Sequence, residues 1–134
     1  MTLITILSFF TLILTAPPNG VIAIAELKPI HYDSMLDAFM FVESSYRTDV
    51  VNSLGYTGIL QIGEEMVNEV NRICRIKGIP KSFTLTDRLD STKSVQMWYI
   101  VQSYWNPDYT LKKAAKLWNP LATNNYYKKI KARI

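Results

Sequence analysis

The chain has 134 residues, which allows one small domain, and it carries 15 Lys and Arg against 11 Asp and Glu, a net charge of +4. Its single cysteine, Cys74, excludes an intrachain disulfide bond, and with His31 as the single histidine a zinc site built from His and Cys ligands is excluded as well. Cys74 lies at helical spacing from Val67 and Val70, which predicts a buried core position. The sequence indicates no metal and no cofactor.

The first 25 residues contain no charged side chain and no histidine, so the whole net charge belongs to residues 26–134. An apolar run ends in Pro17-Pro18-Asn19-Gly20, which breaks a helix, and Ala23-Ile24-Ala25 has the small residues that a signal peptidase accepts. This pattern predicts a signal peptide over residues 1–25, a connecting segment over 26–32, and export to the periplasm or the cell exterior. The alternative is an N-terminal membrane anchor, although a span of roughly 20 residues would have to include the Pro-Pro break. A cleaved leader gives only transient contact with a membrane.

Apolar residues recur at helical spacing almost throughout residues 33–134. Asp33 or Ser34 has the side chain of a helix N-cap, and Gly78 and Pro80 are typical of a helix end. The predicted elements, in chain order, are a helix from Asp33 or Ser34 through Val42 with Glu43 at its C-terminal end, a loop over 44–57 with room for a short hairpin between Arg47 and Tyr56, a helix over 63–77, a short turn capped by Thr86 or Asp87, helices over 91–104 and 110–117, and a basic, aromatic helix over 124–134. We therefore expect one small, mainly α domain over residues 33–134.

Glu43-Ser44 is followed, fifteen residues after Glu43, by Gly58-Ile59-Leu60-Gln61. Four further segments come in a definite order around this motif: Asn52-Ser53-Leu54-Gly55-Tyr56-Thr57-Gly58, Leu89-Asp90, Ala114-Ala115-Lys116-Leu117-Trp118-Asn119-Pro120 and Tyr126-Tyr127-x-x-Ile130. Together, over residues 33–130, they resemble the lysozyme-like lytic transglycosylases, which belong with the goose-type lysozymes. The resemblance implies a lysozyme-like fold, α+β with minimal β. It also implies cleavage of the β-1,4 bond between N-acetylmuramic acid and N-acetylglucosamine in peptidoglycan.

Glu43 is the candidate catalytic acid and base. Protonation of a glycosidic oxygen near neutral pH requires a carboxylic acid with a raised pKa, and burial beside apolar groups raises it. Glu43 extends the apolar stripe of the first predicted helix, beside Phe39 and Val42, which predicts such an environment. Glycosidases commonly use two carboxylates, and Asp49, in the following loop, is the candidate for the second.

The resemblance implies that one carboxylate suffices. The substrate's own N-acetyl group then stabilises the positive sugar centre, and the C6 hydroxyl attacks while Glu43 acts as a base. The product is a 1,6-anhydro sugar, and no water is consumed. If Asp49 instead positions a water molecule, the enzyme is a hydrolysing muramidase, an alternative that the sequence leaves open. A non-catalytic peptidoglycan-binding module on the same fold is the remaining alternative.

Six other residues are predicted to bind the substrate: Ser44, Gly58, Gln61, Trp118, Asn119 and Tyr127. Gly58 allows close approach of the backbone to a sugar, or a positive φ angle. Gln61 can donate and accept hydrogen bonds to sugar hydroxyl or N-acetyl groups. Ser44 either orients the Glu43 carboxyl or ends the helix.

The resemblance places Trp118 and Asn119 in a cleft opposite Glu43. Where this chain has Trp118, the family commonly has a tyrosine whose hydroxyl approaches the glutamate. Tryptophan offers only an N–H donor, so the hydrogen bonding of Glu43 departs from the family pattern at this point. Tyr127 is assigned to substrate stacking.

The C-terminal end of the chain is rich in basic residues. Lys128, Lys129, Lys131 and Arg133 predict either a solvated helix face or attraction to anionic cell-wall polymers. Nucleic acid does not fit an exported chain. Glycan strands of peptidoglycan are the expected partner, and a monomer is the expected state.

Overall fold

The computed structural model describes residues 33–134, and the predicted signal peptide and connecting segment lie outside this range. The described chain is one small, mainly helical domain with almost no strand, as predicted. Its elements are α1 (Ser34–Ser44), α2 (Glu64–Lys77), a 3-10 helix (Leu85–Leu89), α3 (Ser91–Trp105), α4 (Leu111–Trp118) and α5 (Asn124–Lys131). All five predicted helices are present. The first extends two residues further than Val42, and the last ends at Lys131 rather than at the end of the chain.

The loop between α1 and α2 holds the little β structure that residues 33–134 contain. Thr57 forms isolated antiparallel bridges to Val51 and to Ile62, and no regular strand develops from them within the described range. The bridge to Val51 encloses a tight turn in which the Asn52 side chain accepts from the backbone N–H groups of Leu54 and Tyr56. The sequence left room for a short hairpin between Arg47 and Tyr56, and the described chain has isolated bridges around one tight turn there instead of two paired strands.

Side-chain caps mark where α1 and α3 begin. The Asp33 carboxylate accepts from the Leu36 N–H at 2.9 Å, which makes Asp33 the N-cap of α1. Its other oxygen accepts from the hydroxyls of Tyr99 and Tyr109 at 2.6 and 2.8 Å, so the start of α1 is tied to α3 and to the turn that follows it. Asp90 caps α3 in the same way, accepting from the Lys93 N–H at 3.0 Å.

The core lies where α1, α3 and α4 meet. Phe39 of α1 packs on Trp98 of α3 with ring centroids 4.5 Å apart, and the opposite side of the cluster is closed by Trp118, 4.6 Å from Trp98. Cys74 is buried in α2, as predicted. Because aromatic rings bury large apolar areas, this cluster holds the middle of α1 against α3.

Between Asp33 and Ile134, no helix is both long enough and apolar enough to cross a membrane.

Candidate active site around Glu43

Glu43 lies in the last turn of α1, where the chain leaves the helix through two left-handed residues. Ser45 has φ 53° and Tyr46 has φ 64°, and neither is a glycine. The N–H groups of both residues return to the helix, to the carbonyls of Phe41 and Met40. A left-handed conformation costs an ordinary residue about 1–2 kcal/mol, and such strained positions concentrate at functional sites. The strained exit turns the following loop back across the end of α1, where Glu43 lies.

The environment of Glu43 favours the protonated carboxyl. Burial raises the pKa of Glu43 from 4.5 to about 7, and this desolvation outweighs the hydrogen bond from Tyr126, which lowers it. Near neutral pH the side chain is therefore a comparable mixture of acid and carboxylate. This condition suits a group that must donate a proton and then accept one.

The hydrogen-bond partner of Glu43 is a tyrosine hydroxyl from the last helix. Tyr126 in α5 donates to Glu43 Oε1, and its ring packs edge-on against Phe39 with centroids 6.2 Å apart. The pKa of Tyr126 is strongly raised, first by burial and then by the charge of Glu43, so the phenol stays protonated and remains a donor. Since Oε1 is occupied by this bond, Oε2 is the oxygen left to carry the carboxyl proton.

Tyr126 was not among the site residues predicted from the sequence, where Tyr127 was chosen instead. The available signal was the spacing of Tyr126 and Ile130, four residues apart on one helical face. Ile130 is fully buried, so this face is the one that α5 packs on the domain. Tyr126 therefore supplies the hydroxyl that the sequence lacks at Trp118.

Ser44 connects the end of α1 to the Gly58–Gln61 motif. Its buried hydroxyl donates to the carbonyl of Ile59 at 2.8 Å and to that of Met40 at 3.2 Å. These bonds tie the end of α1 to the loop that follows, and within residues 33–134 no hydrogen bond joins the Ser44 side chain to the Glu43 carboxyl. Because the hydroxyl is occupied and buried, Ser44 acts as a positioning residue for the loop rather than as a contact for substrate.

Gly58 is required by packing within the domain. Its φ is +82°, and a Cβ at this position would lie 1.8 Å from the carbonyl oxygen of Arg88 in the 3-10 helix. The close approach that the sequence predicted does exist, but it is an approach to Arg88 rather than to a sugar, because Gly58 is buried. The Arg88 guanidinium strengthens this junction by donating to the carbonyls of Gly55 and Ile62, both at 3.0 Å.

Gln61 has a mixed position, partly structural and partly exposed. Its backbone is left-handed, with φ 48°, and its amide nitrogen donates to the carbonyls of Val50 at 3.1 Å and Gly58 at 3.0 Å. Both amide hydrogens are thereby used to brace the loop, which leaves the amide oxygen as its remaining hydrogen-bonding atom. Gln61 also lines a cavity of about 230 Å³ together with Tyr56, Glu65 and Trp118.

Trp118 lines the same cavity but directs its donor away from Glu43. Its indole N–H donates to the carbonyl of Leu60 at 2.9 Å, and its ring packs on Trp98. The expected contact between this position and Glu43 is therefore replaced by the Tyr126 hydroxyl. Trp118 instead fixes the Leu60 backbone, next to the Ile59 carbonyl that Ser44 holds.

Asn119 and Tyr127 lie together in a second cavity, of about 470 Å³, between α4 and α5. We call this cavity the α4–α5 groove. Its polar and aromatic lining includes Lys112, Lys116, Asn119, Asn124, Tyr126 and Tyr127. Glu43 lines neither of the two cavities described. Tyr126 joins the groove to the site, because it lines the groove and its hydroxyl donates to Glu43. The groove therefore begins one side chain away from the candidate acid.

Asp49, the candidate second carboxylate, is exposed in the loop after α1. Its side chain forms no hydrogen bond or ion pair with any residue between 33 and 134. The causes that set the pKa of Glu43 are burial and Tyr126, with no contribution from a neighbouring carboxylate.

In the part of the chain that the structure describes, no three His, Cys, Asp or Glu side chains come together as a group able to hold a metal ion. No protein-family model matches the chain, and no curated protein or solved structure matches it at a significant level.

Proposed function

We propose that this chain is an exported, lysozyme-like lytic transglycosylase that cleaves the β-1,4 bond between N-acetylmuramic acid and N-acetylglucosamine in peptidoglycan, as a monomer. The proposal rests on Glu43. It is a helix-terminal carboxyl whose pKa burial raises to about 7, in the position that the resemblance assigns to the acid. A general acid with a pKa near the working pH is the most effective one.

The side chains around Glu43 support each step of this chemistry. Protonated Glu43 gives its proton, from Oε2, to the glycosidic oxygen as the bond from that oxygen to C1 breaks. The Tyr126 hydroxyl then stabilises the new carboxylate through its bond to Oε1. In the second step the carboxylate removes the proton of the C6 hydroxyl, and O6 bonds to C1. The acid is regenerated and the 1,6-anhydro sugar is formed.

The isolation of Glu43 from other carboxylates favours this route over hydrolysis. An inverting or retaining hydrolase needs a second carboxylate roughly 5–9.5 Å from the first. The causes that set the pKa of Glu43 are burial and the Tyr126 hydrogen bond, and no carboxylate is among them. The proposed stabiliser of the sugar cation is therefore the substrate's N-acetyl group.

Clearing of purified cell walls by the Glu43→Gln variant tests the proposal. Glutamine still accepts the Tyr126 hydrogen bond but cannot donate a proton as an acid, so we expect the rate of clearing to fall by about 10²- to 10⁴-fold. Glu64→Gln makes the same chemical change at an exposed position and is the matched control. Equal clearing by Glu43→Gln and the unaltered chain would overturn the catalytic role.

A further inference from the structure

The C-terminal part of the domain carries an unbalanced positive charge. Residues 109–134 contain seven Lys and Arg and no Asp or Glu, whereas residues 33–108 contain ten acidic residues against seven basic ones. Across residues 33–134 the ion pairs are Arg72–Glu69 and Lys93–Asp87, and both lie outside the C-terminal segment. The positive charge of this segment is therefore not neutralised within the described domain.

Part of this charge lies in the α4–α5 groove. Lys112 and Lys116 are one helical turn apart on the face of α4 that lines the groove, and Asn119 continues the same face. No acidic residue is among the side chains that line it, while amides and tyrosine rings complete the opposite wall. The cavity beside Trp118 differs, because it includes the carboxylate of Glu65 and no cation. The two cavities flank Pro120, which lines both.

The two lysines differ in their effect on the helix that carries them, because Lys116 lies in its last turn, where the dipole favours a positive charge. Lys112 lies in the first turn of α4, where the helix dipole disfavours a positive charge, and that turn has no acidic residue and no side-chain cap. Lys112 and Lys116 also repel each other at the i,i+4 spacing. An anion bound in the groove would remove both penalties. Lys112 is thus a position at which a bound anion would stabilise the helix.

We propose that the α4–α5 groove binds carboxylate groups carried by the glycan substrate, with Lys112 and Lys116 as the cationic partners. The inference rests on the proposed function and adds to it a preference for acidic over neutral glycans. Tyr126 connects the groove with the proposed catalytic residue, because it lines the groove and its hydroxyl donates to Glu43. Peptidoglycan offers two sources of this chemistry, the lactyl carboxylate of N-acetylmuramic acid and the carboxylates of its peptide stems.

Calorimetric titration of soluble tetrasaccharides separates these sources without requiring turnover. The protein is the full chain with Glu43→Gln, which prevents cleavage. The ligands are chitotetraose, which has no carboxylate, the alternating N-acetylglucosamine–N-acetylmuramic acid tetrasaccharide with free lactyl groups, and the same tetrasaccharide bearing peptide stems. We expect at least one acidic ligand to bind tighter than chitotetraose, and its identity names the source.

A pair of double variants tests whether the groove lysines are responsible. Lys112→Gln/Lys116→Gln is expected to weaken binding of the acidic ligand about five- to tenfold and to leave chitotetraose unchanged. Lys113→Gln/Lys128→Gln removes the same charge from exposed positions outside the groove and is expected to have little effect. The groove variant should unfold at about the same temperature as its parent, because the relief of repulsion and of the Lys112 dipole penalty offsets the loss of the favourable Lys116 charge in the last turn of α4.

Equal weakening by both double variants would overturn the groove site, since it would show only the attraction of overall charge. Chitotetraose binding as tightly as the acidic ligands, or no glycan binding at all, would overturn it too. The proposal would also be overturned if the protein bound a duplex DNA oligonucleotide, the groove variant weakened that binding, and the protein showed no preference among the three glycans. Cell-wall clearing by the unaltered chain is measured separately, so loss of the catalytic proposal and loss of the groove proposal are distinguishable.

Discussion

Tyr126→Phe removes the hydroxyl that donates to Glu43 and leaves the ring that packs on Phe39. A hydrogen bond to a charged group contributes about 1.5–3 kcal/mol, against about 0.5–1.5 kcal/mol between neutral groups. The bond therefore favours the carboxylate over the acid by roughly 1.4 kcal/mol, which corresponds to about one pH unit. Its loss should raise the pKa of Glu43 from about 7 by that amount.

The sign of the effect on activity follows from the role of Glu43. The first step needs the protonated acid, so the rate falls as pH rises through the pKa of Glu43, near 7 in the unaltered chain. With the hydroxyl gone, this falling limb should move to higher pH by about one unit. The plateau rate should drop by roughly three- to tenfold, because the carboxylate formed on proton donation is less stabilised.

The assay is the pH dependence of cell-wall clearing, paired with an NMR titration of the Glu43 carboxyl carbon. Tyr127→Phe is the matched control, since this neighbouring tyrosine lines the groove and has no bond to Glu43. Its falling limb should stay near pH 7. A limb that is unmoved in Tyr126→Phe, or that moves to lower pH, would refute the assignment of Tyr126 as the donor to the carboxylate.

Three stability predictions follow from the same contacts. Because folding raises the pKa of Glu43 from 4.5 to about 7, the folded state holds a proton that the unfolded chain releases above pH 4.5. The free energy of unfolding should therefore fall as pH rises from about 4.5 through 7, by up to roughly 3 kcal/mol. Chemical denaturation at pH 5 and 8 should show this fall in the unaltered chain and not in Glu43→Gln. Gly58→Ala should destabilise the domain by about 3–5 kcal/mol, because of steric overlap and backbone strain. Gly55→Ala has the same φ of +82° but open space around it, so it should destabilise the domain by only about 1–2 kcal/mol. Similar losses for the two variants would contradict the packing argument. Ser44→Ala leaves the buried Ile59 carbonyl without its side-chain partner and should cost about 1–3 kcal/mol in a urea titration; an unchanged unfolding midpoint would show that this bond is dispensable.

The sequence was sufficient for the helices because their signals are local. Asp33 caps the first helix and Gly78 ends the second at the positions that their residue types predict, and the apolar spacing of Val67, Val70 and Cys74 does define a buried face. The one ambiguous region, the loop after α1, contains only isolated bridges. Such pairings depend on tertiary contacts rather than on a period in the sequence.

The contacts around Glu43 were less predictable because they join distant parts of the chain. Whether Tyr126 or its neighbour Tyr127 faces α1 depends on how α5 is rotated, and only the burial of Ile130 decides it. The Trp118 N–H meets a carbonyl 58 residues away, which no local pattern indicates. The position of Glu43 at a helix end could be predicted, whereas the identity of its hydrogen-bond partner required the packed structure.

Mass spectrometry of the unreduced products of cell-wall digestion is the most direct test of the transglycosylase assignment. We expect muropeptides that end in 1,6-anhydro-N-acetylmuramic acid, one water lighter than hydrolysis products, from the unaltered chain and from Glu64→Gln. We expect none from Glu43→Gln. Products with the mass of hydrolysis, or anhydro products that persist in Glu43→Gln, would contradict a transglycosylase in which Glu43 is the single acid and base.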